Sequence, residues 1–386
     1  MPMNDRIYAD HAATSPMTPR VLAVLTETAA EVWGNPSSLH GSGRAAKEAV
    51  EAAREKTAAL LGCLPEEVVF TSGGTESDNW AITEGLAEGV HRGLPEKIVT
   101  TAIEHPAVLE PVKAMERRGV RAVRIGCGGD GRIRLDELEK ELAYGAALVS
   151  VMAANNETGV IQPIPEAVRI VRRLSPGTLF HCDAVQAAGH VRLNVKELDV
   201  DLVSVSGHKL CAPKGIGALY IRKETGLKPY LRGGGQEGGL RSGTEAVPLI
   251  AAFGEACAEA AETLDAEAAR LTALRDRIYA ELLAEKGAVE LGERRYKMPG
   301  TVDIAFENVG GEALMLLCDL LGLELSTGSA CHAGSEEPSH VLTARGVGSA
   351  FVKSAIRISL GRSSGEREAC EAVRIVKQAL NLIRNT

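Results

Sequence analysis

The sequence has no long apolar run, no Cys-x-x-Cys pair and no excess of positive charge. A membrane span needs roughly 18 apolar residues in a row, so we expect no membrane contact. The net charge of -8 argues against a nucleic-acid-binding stripe as the main function. It leaves room for a local basic patch that meets an RNA or protein partner transiently, but no direct nucleic-acid binding is expected.

The eight cysteines are scattered along 386 residues. Such scatter is typical of reduced thiols and not of a disulfide framework or a zinc site, so we expect no metal. The first six residues lack the charged-then-apolar pattern of a signal peptide. Together these absences favour a cytoplasmic location.

Short apolar segments alternate with helical stretches from about residue 20 to residue 255. The predicted strands are 67–70, 97–100, 147–152, 178–182, 202–205 and 217–221. This alternation predicts an α/β fold with a mixed, mostly parallel sheet covered on both faces. Functional residues should then gather in the loops where the strands end.

A change of character follows at residues 256–286, where apolar residues recur at helical spacing and predict one long helix. Beyond it we predict strands at 300–306 and 356–360 and helices at 311–321 and 366–383. These elements favour a second, smaller α+β domain. The predicted division gives a large domain of residues 15–258 and a small domain of residues 1–14 and 259–386.

Lys209 ends the segment Ser-Gly-His-Lys that directly follows the predicted strand 202–205. A lysine rarely lies at the end of a buried strand without a partner. A desolvated lysine has a lowered pKa and can form a Schiff base with an aldehyde. Taken alone, Lys209 could equally extend its ammonium group to solvent.

Asp183 follows the predicted strand 178–182. A carboxylate that faces the pyridine nitrogen is the usual partner of a lysine that binds pyridoxal 5'-phosphate (PLP). Asp183 by itself would be interpreted as a helix N-cap.

The run Thr-Ser-Gly-Gly-Thr-Glu-Ser-Asp at 71–78 supplies small residues before a helix that should begin at Glu76. Thr75 and Asp78 are spaced as a variant of the capping box. Backbone N–H groups and the helix dipole there would hold a phosphate. The run matches neither the dinucleotide nor the P-loop pattern, which disfavours NAD and ATP. His105, after the strand 97–100, could stack on a cofactor ring.

Several segments spread over nearly the whole chain resemble the NifS/IscS-like cysteine desulfurases of the class V aminotransferase superfamily. The matching segments are 8–14 (Tyr-Ala-Asp-His-Ala-Ala-Thr), 34–40 (Gly-Asn-Pro-Ser-Ser-Leu-His), 71–79, 104–105 (Glu-His), 155–159 (Asn-Asn-Glu-Thr-Gly), 206–209, 241–244 (Arg-Ser-Gly-Thr) and 329–331 (Ser-Ala-Cys). The resemblance implies a PLP-dependent transferase of fold type I that acts as a homodimer.

The resemblance also implies roles for individual residues. Lys209 would form the Schiff base, and His105 would stack on the ring and move protons. The other implied cofactor contacts are Gly74, Thr75, Asn156, Asp183, Gln186, Ser206 and His208, with Thr244 reaching the phosphate of the partner subunit. Arg357 would bind the substrate carboxylate as a bidentate fork, and Asn35 would contact substrate. Without the resemblance, Arg357 could be one half of a surface ion pair.

Cys331 lies in a run of small and polar residues, which predicts an exposed, mobile loop over about 326–340. Cys182, Cys257 and Cys318 lie instead in apolar segments. In its length, the loop resembles the corresponding loop of the family group that serves iron–sulfur cluster assembly. His332-Ala333-Gly334 departs from the small hydroxyl residues usual after this cysteine, which puts the preferred acceptor in doubt.

The implied activity converts L-cysteine to L-alanine and places the sulfur on Cys331 as a persulfide. The persulfide would pass to an acceptor protein such as an iron–sulfur scaffold. Three alternatives are weighed against it. They are a selenocysteine lyase, a class V aminotransferase or lyase that does not need Cys331, and a homologue that binds PLP without catalysis.

Overall fold

The computed structural model describes residues 6–327 and 338–385. Its strands are β1 (Ile7–Tyr8), β2 (Val68–Thr71), β3 (Lys97–Thr101), β4 (Arg121–Ile125), β5 (Leu148–Ser150), β6 (Leu179–Asp183), β7 (Leu202–Ser206), β8 (Gly217–Ile221), β9 (Ala288–Glu290), β10 (Thr301–Phe306), β11 (Leu323–Glu324), β12 (Ser326–Thr327) and β13 (Ala355–Ser359). Its α-helices are α1 (Pro19–Glu31), α2 (Gly41–Leu61), α3 (Gly74–His91), α4 (Pro106–Glu116), α5 (Leu135–Leu142), α6 (Ile164–Leu174), α7 (Val195–Leu198), α8 (Val247–Leu282), α9 (Gly311–Leu320), α10 (His340–Ala344), α11 (Ser349–Val352) and α12 (Glu366–Arg384).

Seven strands form the large sheet in the order β2-β8-β7-β6-β5-β3-β4. Strand β8 runs antiparallel to both of its neighbours, and the other pairings are parallel. Every residue of β3, β6, β7 and β8 is buried, as expected for strands covered on both faces. The predicted mixed, mostly parallel sheet is confirmed.

Strand β4 was not predicted from the sequence. It pairs with β3 alone and lies at the edge of the sheet, where Arg121 is exposed and Ile125 is buried. Edge strands often carry charged side chains, because one side of their backbone faces solvent. The two arginines in its five residues hide the apolar pattern that marks the central strands.

A second sheet of four antiparallel strands has the order β12-β13-β10-β9, and β1 pairs with β11. The strands predicted at 300–306 and 356–360 are its two central members. In their register Asp303 stands opposite Arg357. Helices α9 and α12 pack beside this sheet, which gives the predicted α+β arrangement in the last third of the chain.

Helix α8 is 36 residues long and begins nine residues before its predicted start. Phe253 and Cys257 in its first half belong to the core of the large sheet, where the helix packs on α1 and α2. Leu271 and Ile278 in its second half belong to a separate core with β10 and α12. One continuous helix therefore passes from the first apolar core to the second.

Candidate active site

A cavity of about 300 Å³ lies where the strands of the large sheet end at their carboxyl termini. Ten of the residues singled out in the sequence line it, namely Gly74, Thr75, His105, Asn156, Asp183, Gln186, Ser206, His208, Lys209 and Arg357. All but Arg357 end or follow strands of the large sheet, whereas Arg357 lies in β13. Ligands commonly bind at this edge of open α/β sheets.

The turn between β2 and α3 forms one end of the cavity. Gly73 has φ 148°, which favours glycine, and a Cβ on Gly74 would lie 2.7 Å from Val185 Cγ2. The predicted helix start at Glu76 is wrong by two residues, because α3 begins at Gly74. The predicted capping pair is also wrong. Glu76 Oε2 accepts from the Ser72 N–H at 2.8 Å, and Asp78 is buried.

Lys209 lies in a short 3₁₀ turn, Gly207–Lys209, directly after β7. Its Nζ donates to the carbonyl oxygens of Ala12 and Ala13, the latter at 2.8 Å. Its own carbonyl oxygen lies 3.0 Å from His190 Nε2. These contacts place the amine in the cavity, and the alternative of a lysine extended to solvent is wrong.

Asp183 is the last residue of β6 and is almost fully buried. Its Oδ1 accepts from the Val185 N–H at 2.9 Å. Burial raises the pKa of Asp183 to about 6, although the Val185 N–H and the nearby positive charge of Lys209 lower it. No helix follows Asp183, because residues 185–190 form turns, so the N-cap interpretation is wrong.

His105 caps the N-terminus of α4, where its Nδ1 accepts from the Ala107 N–H at 3.1 Å. Because Nδ1 is an acceptor, a neutral His105 carries its proton on Nε2. The preceding carboxyl of Glu104 accepts from Thr101 Oγ1 and from the Met152 N–H. Burial raises the pKa of Glu104 to about 8. Glu104 therefore ties the loops after β3 and β5 together beneath the cavity.

Arg357 reaches the cavity from β13 and is 1% exposed. Its Nη2 lies 2.6 Å from Asp10 Oδ1, and its Nη1 donates to the Asn156 carbonyl oxygen at 2.5 Å. The interpretation as a surface ion pair is wrong, because the guanidinium is buried. Both contacts hold the guanidinium in place beside the cavity.

Two predicted residues are not brought to this cavity, and the placement of a third is not described. Asn35 is exposed, and its Oδ1 accepts from the Ser37 N–H at 2.9 Å. Thr244 is exposed as well. Cys331 lies outside the described residues. The predicted roles of all three remain predictions.

Sequence reasoning missed three residues of the site's surroundings. Met152 and Asp78 line the cavity, and Asp10 pairs with Arg357. Asp10 lies within a segment that carries the family resemblance, yet no local pattern shows a partner 347 residues away. The spacing of Asp78 from Thr75 favoured the interpretation as a helix cap, so its burial was not predicted.

Residues 7–370 match the model of the family described as "Aminotransferase class-V". The chain belongs to this family. It is 42% identical over 381 residues to the cysteine desulfurase of Trichormus azollae, which covers 98% of this chain and 94% of that protein.

It is also 41% identical over 386 residues to the cysteine desulfurase IscS of Dictyoglomus turgidum, covering 99% of this chain and 96% of that protein. A solved structure titled "NIFS-LIKE PROTEIN" superposes with a TM-score of 0.92 at 38% identity, over 98% of this chain and all of that one. The fold is that of the PLP-dependent transferases of type I, and the family uses PLP as its cofactor.

The cavity fits PLP on its own geometry. Gly74 leaves space beside Val185 at a helix N-terminus, which suits a phosphate. Asp183 offers an acid for the ring nitrogen, and the amine of Lys209 lies in the same cavity. Across residues 6–327 and 338–385, no cluster of three or more potential ligands could hold a metal ion, and no helix could span a membrane.

Proposed function

We propose that the chain is a cysteine desulfurase, which converts L-cysteine to L-alanine and retains the sulfur as a persulfide. One cavity brings together the amine of Lys209, the carboxyl of Asp183 and the guanidinium of Arg357. That arrangement, in a chain 42% identical to a cysteine desulfurase, carries the proposal. When bound, PLP supplies an electron sink for the carbon skeleton of the amino acid.

The residues of the cavity would each have a separate task. Arg357 binds the substrate carboxylate, because Asp10 and the Asn156 carbonyl hold its guanidinium beside the cavity. Lys209 binds the cofactor and, once released by substrate, takes the α-proton on Nζ. Asp183 holds the proton of the ring nitrogen.

The remaining cavity residues would hold the cofactor in place. Gly74, Thr75, Ser206 and His208 hold the phosphate, and Asn156 and Gln186 contact the ring hydroxyl side. His105 stacks on the ring and donates from Nε2.

Cys331 would accept the sulfur. Its thiolate attacks the substrate sulfur, so an S–S bond forms as the substrate C–S bond breaks. The electron pair of that bond stays with the carbon skeleton, which takes up protons and leaves as alanine. No external oxidant is needed, since the sulfur is oxidised as the carbon is reduced.

Three of the other cysteines are poor alternatives to Cys331. Burial raises the pKa of Cys63, Cys257 and Cys318 to about 12. Seven described cysteines are free thiols, which supports a reducing compartment, the cytoplasm. The persulfide would pass to an acceptor protein such as an iron–sulfur scaffold.

A homodimer would complete the site. Arg241 pairs with Glu76 beside the phosphate turn, and Thr244 lies exposed three residues further on. Trp33 and Leu39 flank Asn35 and are 75% and 90% exposed. Large exposed apolar side chains are typical of interaction surfaces. In this arrangement Thr244 reaches the phosphate of the partner subunit, and Asn35 contacts substrate.

The function is tested by incubating the PLP-loaded enzyme with L-cysteine and a reductant, and measuring alanine and sulfide. Wild type should release both in equal amounts, and Cys331→Ser should release neither. Cys370→Ser, which removes a partly exposed thiol on α12, is the matched control and should behave as wild type. Undiminished turnover in Cys331→Ser would favour an aminotransferase or another lyase.

The shared site is tested by mixing two inactive variants, Lys209→Ala and Thr244→Glu. If Thr244 serves the partner subunit, the mixed dimer has one site with both native residues and regains activity. If Thr244 serves its own subunit, no mixed site is intact and activity stays absent.

A further inference from the structure

A second aspartate, Asp78 on α3, lines the same cavity as Asp183 and has no part in the function proposed above. It is 1% exposed, and its Oδ1 has no hydrogen-bond partner among the described residues. A buried carboxylate with an unpaired oxygen is costly, because the low dielectric of the interior penalises its charge. The arrangement around Asp78 therefore requires an explanation.

The nearest basic group to Asp78 is an imidazole that stays neutral. His181 Nε2 lies 3.5 Å from Asp78 Oδ1 and 3.0 Å from Ser204 Oγ. On its other side, His181 Nδ1 lies 2.9 Å from Ser150 Oγ. Burial lowers the pKa of His181 to about 3, so this ring supplies no positive charge to Asp78.

Two acidic groups face Asp78 from neighbouring elements. Asp183 stands opposite Ser204 in the register of β6 and β7, and Glu104 follows β3. Asp183 has the Val185 N–H and the charge of Lys209 to stabilise its ionised form. Asp78 has only a hydrogen bond from Ser204 to stabilise its ionised form. Two buried like charges in one site also disfavour each other. Of the two aspartates, Asp78 is the one that gives up its charge.

We propose that Asp78 is a positioning residue, a neutral carboxylic acid at the base of the cavity that leaves Asp183 as the single ionised aspartate facing the cofactor. Burial and the negative charge of Asp183 raise the pKa of Asp78 well above its usual range, in agreement with this assignment. The inference rests on the role proposed for Asp183, but not on cysteine being the substrate.

The protonation state is tested on the cofactor-free protein by infrared difference spectroscopy at neutral pH. Wild type minus Asp78→Asn should show the carbonyl band of a protonated carboxylic acid. The Glu104→Gln difference serves as a reference for a second buried acid. A carboxylate band in the Asp78 difference spectrum would overturn the proposal.

The positioning role is tested by PLP titration and by the pH midpoint of the visible absorbance of the loaded enzyme. Asp78→Asn keeps a neutral group of the same shape. Its PLP affinity should therefore match that of wild type within about twofold, and its pH midpoint should be unchanged. Asp78→Ala should weaken PLP binding by about tenfold and shift the midpoint. An unchanged Ala variant, or an Asn variant as impaired as Ala, would contradict the role. Both readouts stand even if no alanine forms from cysteine.

Discussion

Asp183 and Asp303 are buried aspartates that lie at different places in their sheets. Burial raises the pKa of each to about 6, and in each case a lysine charge opposes the rise. Asp183 ends strand β6, borders the cavity and accepts an N–H from Val185. Asp303 lies in the middle of β10, and neither of its carboxylate oxygens has a hydrogen-bond partner among the described residues.

The difference teaches that a shifted pKa does not by itself locate a functional site. Lys297, the lysine that opposes the rise at Asp303, is also buried, and burial lowers its pKa to about 8. Both aspartates thus belong to strongly perturbed groups, yet the cavity adjoins Asp183 and not Asp303. A strand end leaves space for a ligand, whereas a position within a sheet is filled by neighbouring strands.

The strongest way to separate the two aspartates is to remove each charge while keeping the shape. Asp183→Asn should lower kcat for alanine formation by about 10³-fold, because the group that stabilises the ring-nitrogen proton is lost. Asp303→Asn should leave kcat within about threefold of wild type. Comparable losses in the two variants would show that the cavity does not distinguish them.

Removing the lysine beside Asp303 should affect stability. Lys297→Met removes the largest of the three positive charges that lower the pKa of Asp303, the others being Arg345 and Arg357. It should lower the free energy of unfolding by about 2 kcal/mol at pH 7, where Lys297 is charged. The loss should shrink at pH 5, below the pKa of Asp303, since the carboxyl is then protonated. Urea unfolding of wild type and variant at both pH values measures this loss in the free energy of unfolding. The double variant Lys297→Met/Asp303→Leu should recover most of the loss, and a further loss would contradict this account.

Glu157 follows Asn156, which lines the cavity, and it also feels the charge of Asp303 in the second sheet. It tests how the stability of the protein depends on pH. Burial raises its pKa to about 7, and its carboxylate accepts from Ser339 Oγ at 2.5 Å. A raised pKa means that the folded protein loses stability as pH rises from 4.5 towards 7. Glu157→Gln removes this loss and keeps the acceptor. Relative to wild type, the variant should gain about 2 kcal/mol between pH 5 and pH 8. If urea unfolding gave a difference in the free energy of unfolding between Glu157→Gln and wild type that did not change with pH, the raised pKa of Glu157 would be contradicted.

Arg357 connects the cavity with the second sheet, since its side chain lines the cavity and its backbone pairs with that of Asp303. Arg357→Lys keeps the charge but loses the planar fork. KM for L-cysteine should rise by about tenfold, while kcat changes less. An unchanged KM would mean that another group binds the substrate carboxylate.

Much of the large sheet could be predicted because its buried strands are nearly continuous apolar runs. The site residues could be predicted where they end or directly follow such strands, as Asp183 and Lys209 do. Strand β4 could not, since charged residues at a sheet edge interrupt the apolar pattern. The Asp10–Arg357 pair and the burial of Asp78 could not either, because tertiary packing creates both.

The continuity of α8 has a mechanical consequence for the reaction. A helix of 36 residues spans about 54 Å, and each half is fixed in a different apolar core. Lys209 is attached to the first core and Arg357 to the second. Any rotation of one core against the other must bend this rod or unpack one of its halves. The stiffness of this helix therefore helps to fix the distance between Lys209 and Arg357, the two residues that a bound substrate would contact.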